Sequence, residues 1–76
     1  MVNVAQLIVR TYLDKTKMTL REFGEQLGVS HVTVSYWRNG KFAPDTDLMM
    51  SFRNSDDWRG EFARAILAAK HGNGGK

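Results

Sequence analysis

Residues Thr19 to Lys41, TLREFGEQLGVSHVTVSYWRNGK, hold the signals for two helices and the turn between them. Thr19-Leu20-Arg21-Glu22 reads as a capping box. The threonine hydroxyl and the glutamate each satisfy a backbone N–H that a helix start leaves without an intrahelical partner. Phe23 and Leu27 follow one turn apart on an inward face. Gly28 can take the left-handed conformation that ends a helix. Ser30 can then cap a second helix running to about Arg38, where Asn39-Gly40 stops it. Val29, Val34 and Trp37 share one side of that second helix, the side expected to pack on Phe23 and Leu27. Gly24 costs about 1 kcal/mol relative to alanine in mid-helix, and close approach of the second helix is the packing reason expected for it. Two helices over a short glycine-containing turn cross at about 90–120°.

The flanks read as three more helices. Asn3 can cap the first, whose apolar residues Val4, Leu7, Ile8 and Tyr12 recur at helical spacing, and the polar Asp14-Lys15-Thr16-Lys17 ends it. Pro44-Asp45 opens a short fourth helix, with Asp45 as cap and Met49 and Phe52 inward. Ser55 caps the fifth, and Asp56 and Asp57 in its first turn complement the helix dipole. Trp58, Phe62, Ile66 and Ala69 keep an apolar stripe along it. No strand signal, repeat or linker interrupts this order. The expectation is an all-α domain over residues 1–70, with a flexible Gly-rich tail at 71–76.

Composition narrows the class. At 76 residues, a chain buries only about 60% of its unfolded surface, so its core is limited. The 42% hydrophobic and 11% aromatic content is too high for a disordered tail. The lack of cysteine removes disulfides and thiolate metal sites. No apolar run nears the ~20 residues that span a bilayer, and Met1 leads into no signal segment, so a cytoplasmic protein is expected. The net charge of +3 and pI of 9.6 suit a nucleic-acid partner without requiring one. Glu22 and Glu25 offset Arg21 and Lys41, and the pattern decides where the charge does not.

Thr19 to Lys41 resembles the repressor/Cro-type (xenobiotic-response-element-like) helix-turn-helix family of phage and bacterial regulators. The shared frame is Thr-x-x-Glu, a large apolar residue and a small one, then Leu-Gly-Val-Ser, Thr-Val-Ser-x-Trp and a closing Asn-Gly-Lys. It covers about a third of the chain. The resemblance implies a compact five-helix lambda-repressor-like domain, double-stranded DNA as partner, and transcription regulation, most simply a repressor that occludes a promoter. It gives Trp37 a core role and places the protein in a bacterial or phage-infected cell. Two departures stand out. Leu20 replaces the family's common glutamine, whose side chain helps hold a phosphate, which leaves backbone N–H groups at the helix start for that task. After Phe52 the chain continues with a short polar link and a long helix from Trp58 to Lys70.

With Val29, Val34 and Trp37 inward, the opposite face of the second helix holds His31, Val32, Ser35 and Tyr36. In this motif the N-terminal end of that helix enters the major groove. His31 can donate to or accept from a guanine edge, Val32 can pack on a thymine methyl, Ser35 is a short donor and acceptor, and Tyr36 can reach a base or a phosphate. The face has no arginine, asparagine or glutamine for bidentate base contacts, so modest discrimination per half-site is expected. Thr19, Arg21, Thr33, Arg38, Asn39 and Lys41 flank it as candidate phosphate contacts, which position the protein without reading sequence.

Domains of this type commonly work as homodimers on half-sites about 34 Å apart. Trp58, Phe62 and Ile66 are the candidate dimer surface; the same stripe also reads as the closure of the core. An enzyme is not expected. His31 and His71 lie forty positions apart, the carboxylates sit mainly at helix starts, and neither a phosphate-cradling glycine loop nor a metal-ligand spacing appears, so no cofactor is expected. The rival is a protein-interaction module, an antitoxin or recombination accessory factor, that uses the C-terminal helix on a protein partner and touches DNA weakly. A membrane-surface role fits poorly, because that helix mixes acids with its bases.

Overall fold

The computed structural model describes residues 3–72. Among them are five helices and no strand: α1 Val4–Thr16, α2 Leu20–Leu27, α3 His31–Arg38, α4 Thr46–Phe52 and α5 Trp58–Gly72. The fold is all-α, as expected. No helix among the described residues is long and apolar enough to cross a membrane. The chain divides into two units, one ending at Ala43 and one starting at Pro44. Of the expected tail, α5 takes in positions 71 and 72, and residues 73–76 lie outside the described residues.

In the first unit α3 packs on both α1 and α2. Val9, Phe23, Leu27, Val34 and Trp37 are buried, each contributing about 1.5–3 kcal/mol by leaving water if it is an average core side chain. Asn3 caps α1, its Oδ1 accepting from the Gln6 N–H at 2.6 Å. The inward face of α1 differs from the expected one. Val9 is fully buried, whereas Val4 and Leu7 are 48% and 57% exposed. The stripe Ala5, Ile8, Val9, Tyr12, Leu13 and Thr16 faces inward, and it has the i, i+3, i+4 spacing of a helix face as fully as the expected one.

The helix also runs past Asp14. Thr11 and Thr16 donate their hydroxyls to the Leu7 and Tyr12 carbonyls, both at 2.8 Å, so both hydroxyls are satisfied locally while the helix continues. It ends on Lys17, whose φ of 59° is left-handed and whose N–H donates to the Leu13 carbonyl at 3.0 Å. Left-handed backbone costs a non-glycine residue about 1–2 kcal/mol, and glycine returns part of that gain through its looser unfolded chain. The Lys17–Asp14 pair, 3.9 Å apart and exposed, contributes little. Lys17→Gly is therefore expected to stabilise by about 0.5 kcal/mol and raise the thermal midpoint by about 2–4 °C. A lowered midpoint in a calorimetric scan would contradict this reading of the cap.

In the second unit α4 packs on α5, with Met49, Phe62, Ala63, Ile66 and Leu67 buried. Asp45 takes the cap position of α4, but its side chain makes no capping hydrogen bond. Instead Lys70 Nζ donates to the Pro44 carbonyl and, at 3.1 Å, to Thr46 Oγ1, tying the end of α5 to the start of α4. Asp57 rather than Ser55 caps α5. Its Oδ1 accepts from the Arg59 N–H at 3.0 Å, and its carboxylate takes the Arg59 guanidinium at 2.8 Å and 3.0 Å. The Arg59 guanidinium holds that carboxyl below the usual aspartate range.

Candidate nucleic-acid interface

The α2–turn–α3 segment is built by local chemistry. Thr19 Oγ1 accepts from the Glu22 N–H at 3.1 Å, and Glu22 Oε1 accepts from the Thr19 N–H at 2.9 Å, so the capping box is complete. Gly28, at φ 76°, ends α2 as expected. The Val29 N–H donates to the Gly24 carbonyl at 2.9 Å and the Gly28 N–H to the Glu25 carbonyl at 3.3 Å, the paired bonds of a Schellman turn. Ser30 then caps α3, its Oγ accepting from the Thr33 N–H at 3.2 Å. Gly24 is buried, and a Cβ there would meet the Val29 carbonyl oxygen at 2.5 Å. Its smallness admits the turn's own backbone.

The core fixes which way α3 faces. Val34 and Trp37 are buried, while His31, Val32 and Tyr36 are exposed and Ser35 is half-buried. These four sit together on the side of α3 away from Val34 and Trp37. Thr19 and Arg21 are exposed at the start of α2; Arg38, Asn39 and Lys41 are exposed at the far end of α3. Thr33 is half-buried, its hydroxyl 3.1 Å from that of Ser30. Among the described residues no group of His, Asp or Glu could hold a metal ion.

Charge follows the same division. Residues up to 43 carry six Lys/Arg against three Asp/Glu, and residues from 44 carry five against five, so the whole +3 lies with α1–α3. A cleft of about 440 Å³ opens beside the start of α2, with Leu13, Met18 and Leu20 in its lining together with Arg10 and Arg38. Leu20, in place of glutamine, is part of that apolar lining.

Three contributors escape sequence reasoning. Gln6 Nε2 and Arg10 Nε, one turn apart on α1, both donate to the Arg38 carbonyl at 3.1 Å. They satisfy an acceptor that the end of α3 would otherwise leave open and tie that end to α1. The third is Phe42, 57% exposed, whose ring meets that of Tyr36 edge to face at 5.3 Å. No local pattern announces the first two, because the contacts join positions 32 and 28 residues apart. Phe42 follows the closing Asn-Gly-Lys, and nothing in its local spacing marks it as part of the site.

Burial separates the members of the Trp58, Phe62 and Ile66 stripe, for which both a dimer surface and a closure of the core were expected. Phe62 and Ile66 have no exposed surface, which fits the closure of the chain's own core. Trp58 is half-buried with its ring 6.1 Å from that of Phe62, and it alone of the three retains accessible surface.

The helix-turn-helix family matches the chain over residues 9–51, more than half its length. No curated protein and no solved structure matches it. The matched stretch takes in the Thr19 capping box, the Gly28 turn and all of α3, and the chain belongs to the helix-turn-helix family of the Cro/C1 type, a family of DNA-binding regulators.

Proposed function

We propose that the protein is a sequence-specific transcriptional regulator of double-stranded DNA, a Cro-like repressor that acts by occluding a promoter. In this reading His31, Val32, Ser35 and Tyr36 meet base edges in the major groove, and Thr19, Arg21, Thr33, Arg38, Asn39 and Lys41 meet the backbone on either side. The observation that carries it is the split of α3 into a buried side, Val34 and Trp37, and an exposed side with donors, an acceptor and an apolar contact. The concentration of the positive charge in the same unit supports it, since phosphate neutralisation supplies most non-specific affinity.

Selection of bound sequences from a random duplex pool at physiological salt tests the proposal. An enriched inverted repeat with half-site centres about 10 base pairs apart is the expected result for two copies on one operator. A pool that stays unenriched would remove the sequence-specific reading. Replacing His31 and Val32 together by alanine is expected to flatten preference at one or two adjacent base pairs, each by about 1–3 kcal/mol, while leaving the thermal midpoint nearly unchanged because both side chains are exposed. The same selection repeated on the double variant reads this out. Undiminished preference would move base recognition off this part of α3.

A further inference from the structure

The turn that ends α3 also arranges side chains. Gly40, at φ 79°, donates its N–H to the Trp37 carbonyl at 3.1 Å, and the Lys41 N–H donates to the Tyr36 carbonyl at 2.9 Å. This reversal brings residue 41 back over residue 36, where such turns usually place an apolar contact. Here the contact is a cation on a ring. Lys41 Nζ lies 4.8 Å from the centre of the Tyr36 ring and 5.9 Å from that of Phe42. Phe42 completes the triangle by its edge-to-face contact with Tyr36. All three side chains are exposed, and they stand at the end of the helix that carries the candidate reading face.

We propose that Phe42 is a positioning residue for DNA recognition, holding the Tyr36 ring, which in turn seats the Lys41 ammonium, so that the two meet DNA as one preformed unit. The Tyr36 hydroxyl meets a base edge and the Lys41 ammonium meets the neighbouring phosphate. This rests on the DNA-binding reading above and adds a specificity determinant to it. A free lysine stem and a freely turning tyrosine lose rotamer freedom on binding, and holding them beforehand removes that cost. The ammonium has three donors, so its seat over two rings leaves it able to meet a phosphate. Phe42 itself has no group that reads a base edge by hydrogen bonding, so its effect should pass through Tyr36.

A double-mutant cycle on the full chain tests this, using the selected duplex and duplexes altered one base pair at a time. Phe42→Ala is expected to weaken binding of the selected duplex by about 3- to 10-fold, the scale of one aromatic pair. It should flatten the same base pair that Tyr36→Ala flattens. In the Tyr36→Ala background, Phe42→Ala should change little, because the ring it positions is gone. Phe42→Leu, which keeps apolar bulk and guards against loss of fold, should behave like Phe42→Ala, and Phe42→Trp should restore binding.

Equal weakening by Phe42→Ala in both backgrounds would overturn the proposal, since Phe42 would then touch DNA on its own account. Wild-type binding by Phe42→Leu would overturn it too. A wild-type chain that binds no duplex would defeat the DNA-binding reading itself, a result distinct from a bound chain indifferent to position 42.

Discussion

Gly60→Ala is expected to lower stability by about 2 kcal/mol, from overpacking of about 1–3 kcal/mol or more set against at most about 1 kcal/mol of improved helix propensity. For a chain of this size the thermal midpoint should fall by about 8–16 °C. The reason lies in the link between α4 and α5. A Cβ on Gly60 would run into the Ser55 carbonyl oxygen and lie 2.9 Å from its carbon. That oxygen is backbone, and its surroundings are pinned. The Ser55 N–H donates to the Phe52 carbonyl at 2.9 Å, the Arg64 guanidinium to the Arg53 carbonyl at 2.6 Å, and the Gly60 N–H to the Asp57 carbonyl at 3.0 Å. Relief therefore needs the whole link to move. An unchanged midpoint by circular dichroism would show that the link yields freely.

Gly24→Ala should cost less stability and more function. The clash is with the Val29 carbonyl at 2.5 Å, followed by Ser30 backbone at 3.3 Å. That carbonyl belongs to the turn closed by the Val29-to-Gly24 hydrogen bond. To admit the methyl, the turn must lift from α2 by roughly 1 Å, the shortfall from an ordinary carbon–oxygen approach near 3.5 Å. About 1–2 kcal/mol of stability should be lost after the propensity gain. The lift carries the first turn of α3 with it, and so His31 and Val32. If that turn enters the groove, a 1 Å displacement should reduce affinity for the selected duplex by about 5-fold or more, the low end of the roughly 1–3 kcal/mol that a spoiled base-pair contact costs, at a temperature where the variant is folded. Full affinity in a folded variant would show that the interface does not depend on how α2 seats the turn.

The parts of the fold that sequence revealed are those specified locally. The Thr19 box, the Gly28 and Gly40 turns and the Ser30 cap each place donor and acceptor within five residues of one another, so residue type and spacing suffice. Sequence and structure part where two local solutions compete. The stripes Val4-Leu7-Ile8-Tyr12 and Ala5-Ile8-Val9-Tyr12 share two members, and only the helix packed against α1 selects between them. Ser55, Asp56 and Asp57 are three candidate caps in a row, and the Arg59 guanidinium favours the last.

The candidate site divides in the same way. Its outward residues follow by subtraction once Val34 and Trp37 are assigned to the core. Gln6, Arg10 and Phe42 depend on where the chain returns in space, which no window of sequence contains. Phe62 and Ile66 show the reverse limit: an apolar stripe has the same pattern whether a partner or its own chain covers it.

One division within α3 has a consequence for how such a protein could diversify. The residues that anchor the helix are Ser30 at its start, Val34 and Trp37 beneath it, and Gly40 past its end; those facing outward are His31, Val32 and Tyr36. The two sets share no member. Exchanges at His31 and Val32 fall among surface substitutions, which usually change stability by less than about 0.5 kcal/mol. If this face reads DNA as proposed, preference for one sequence can then drift to another through a series of folded intermediates, with a paralogue inheriting the frame and replacing only the address.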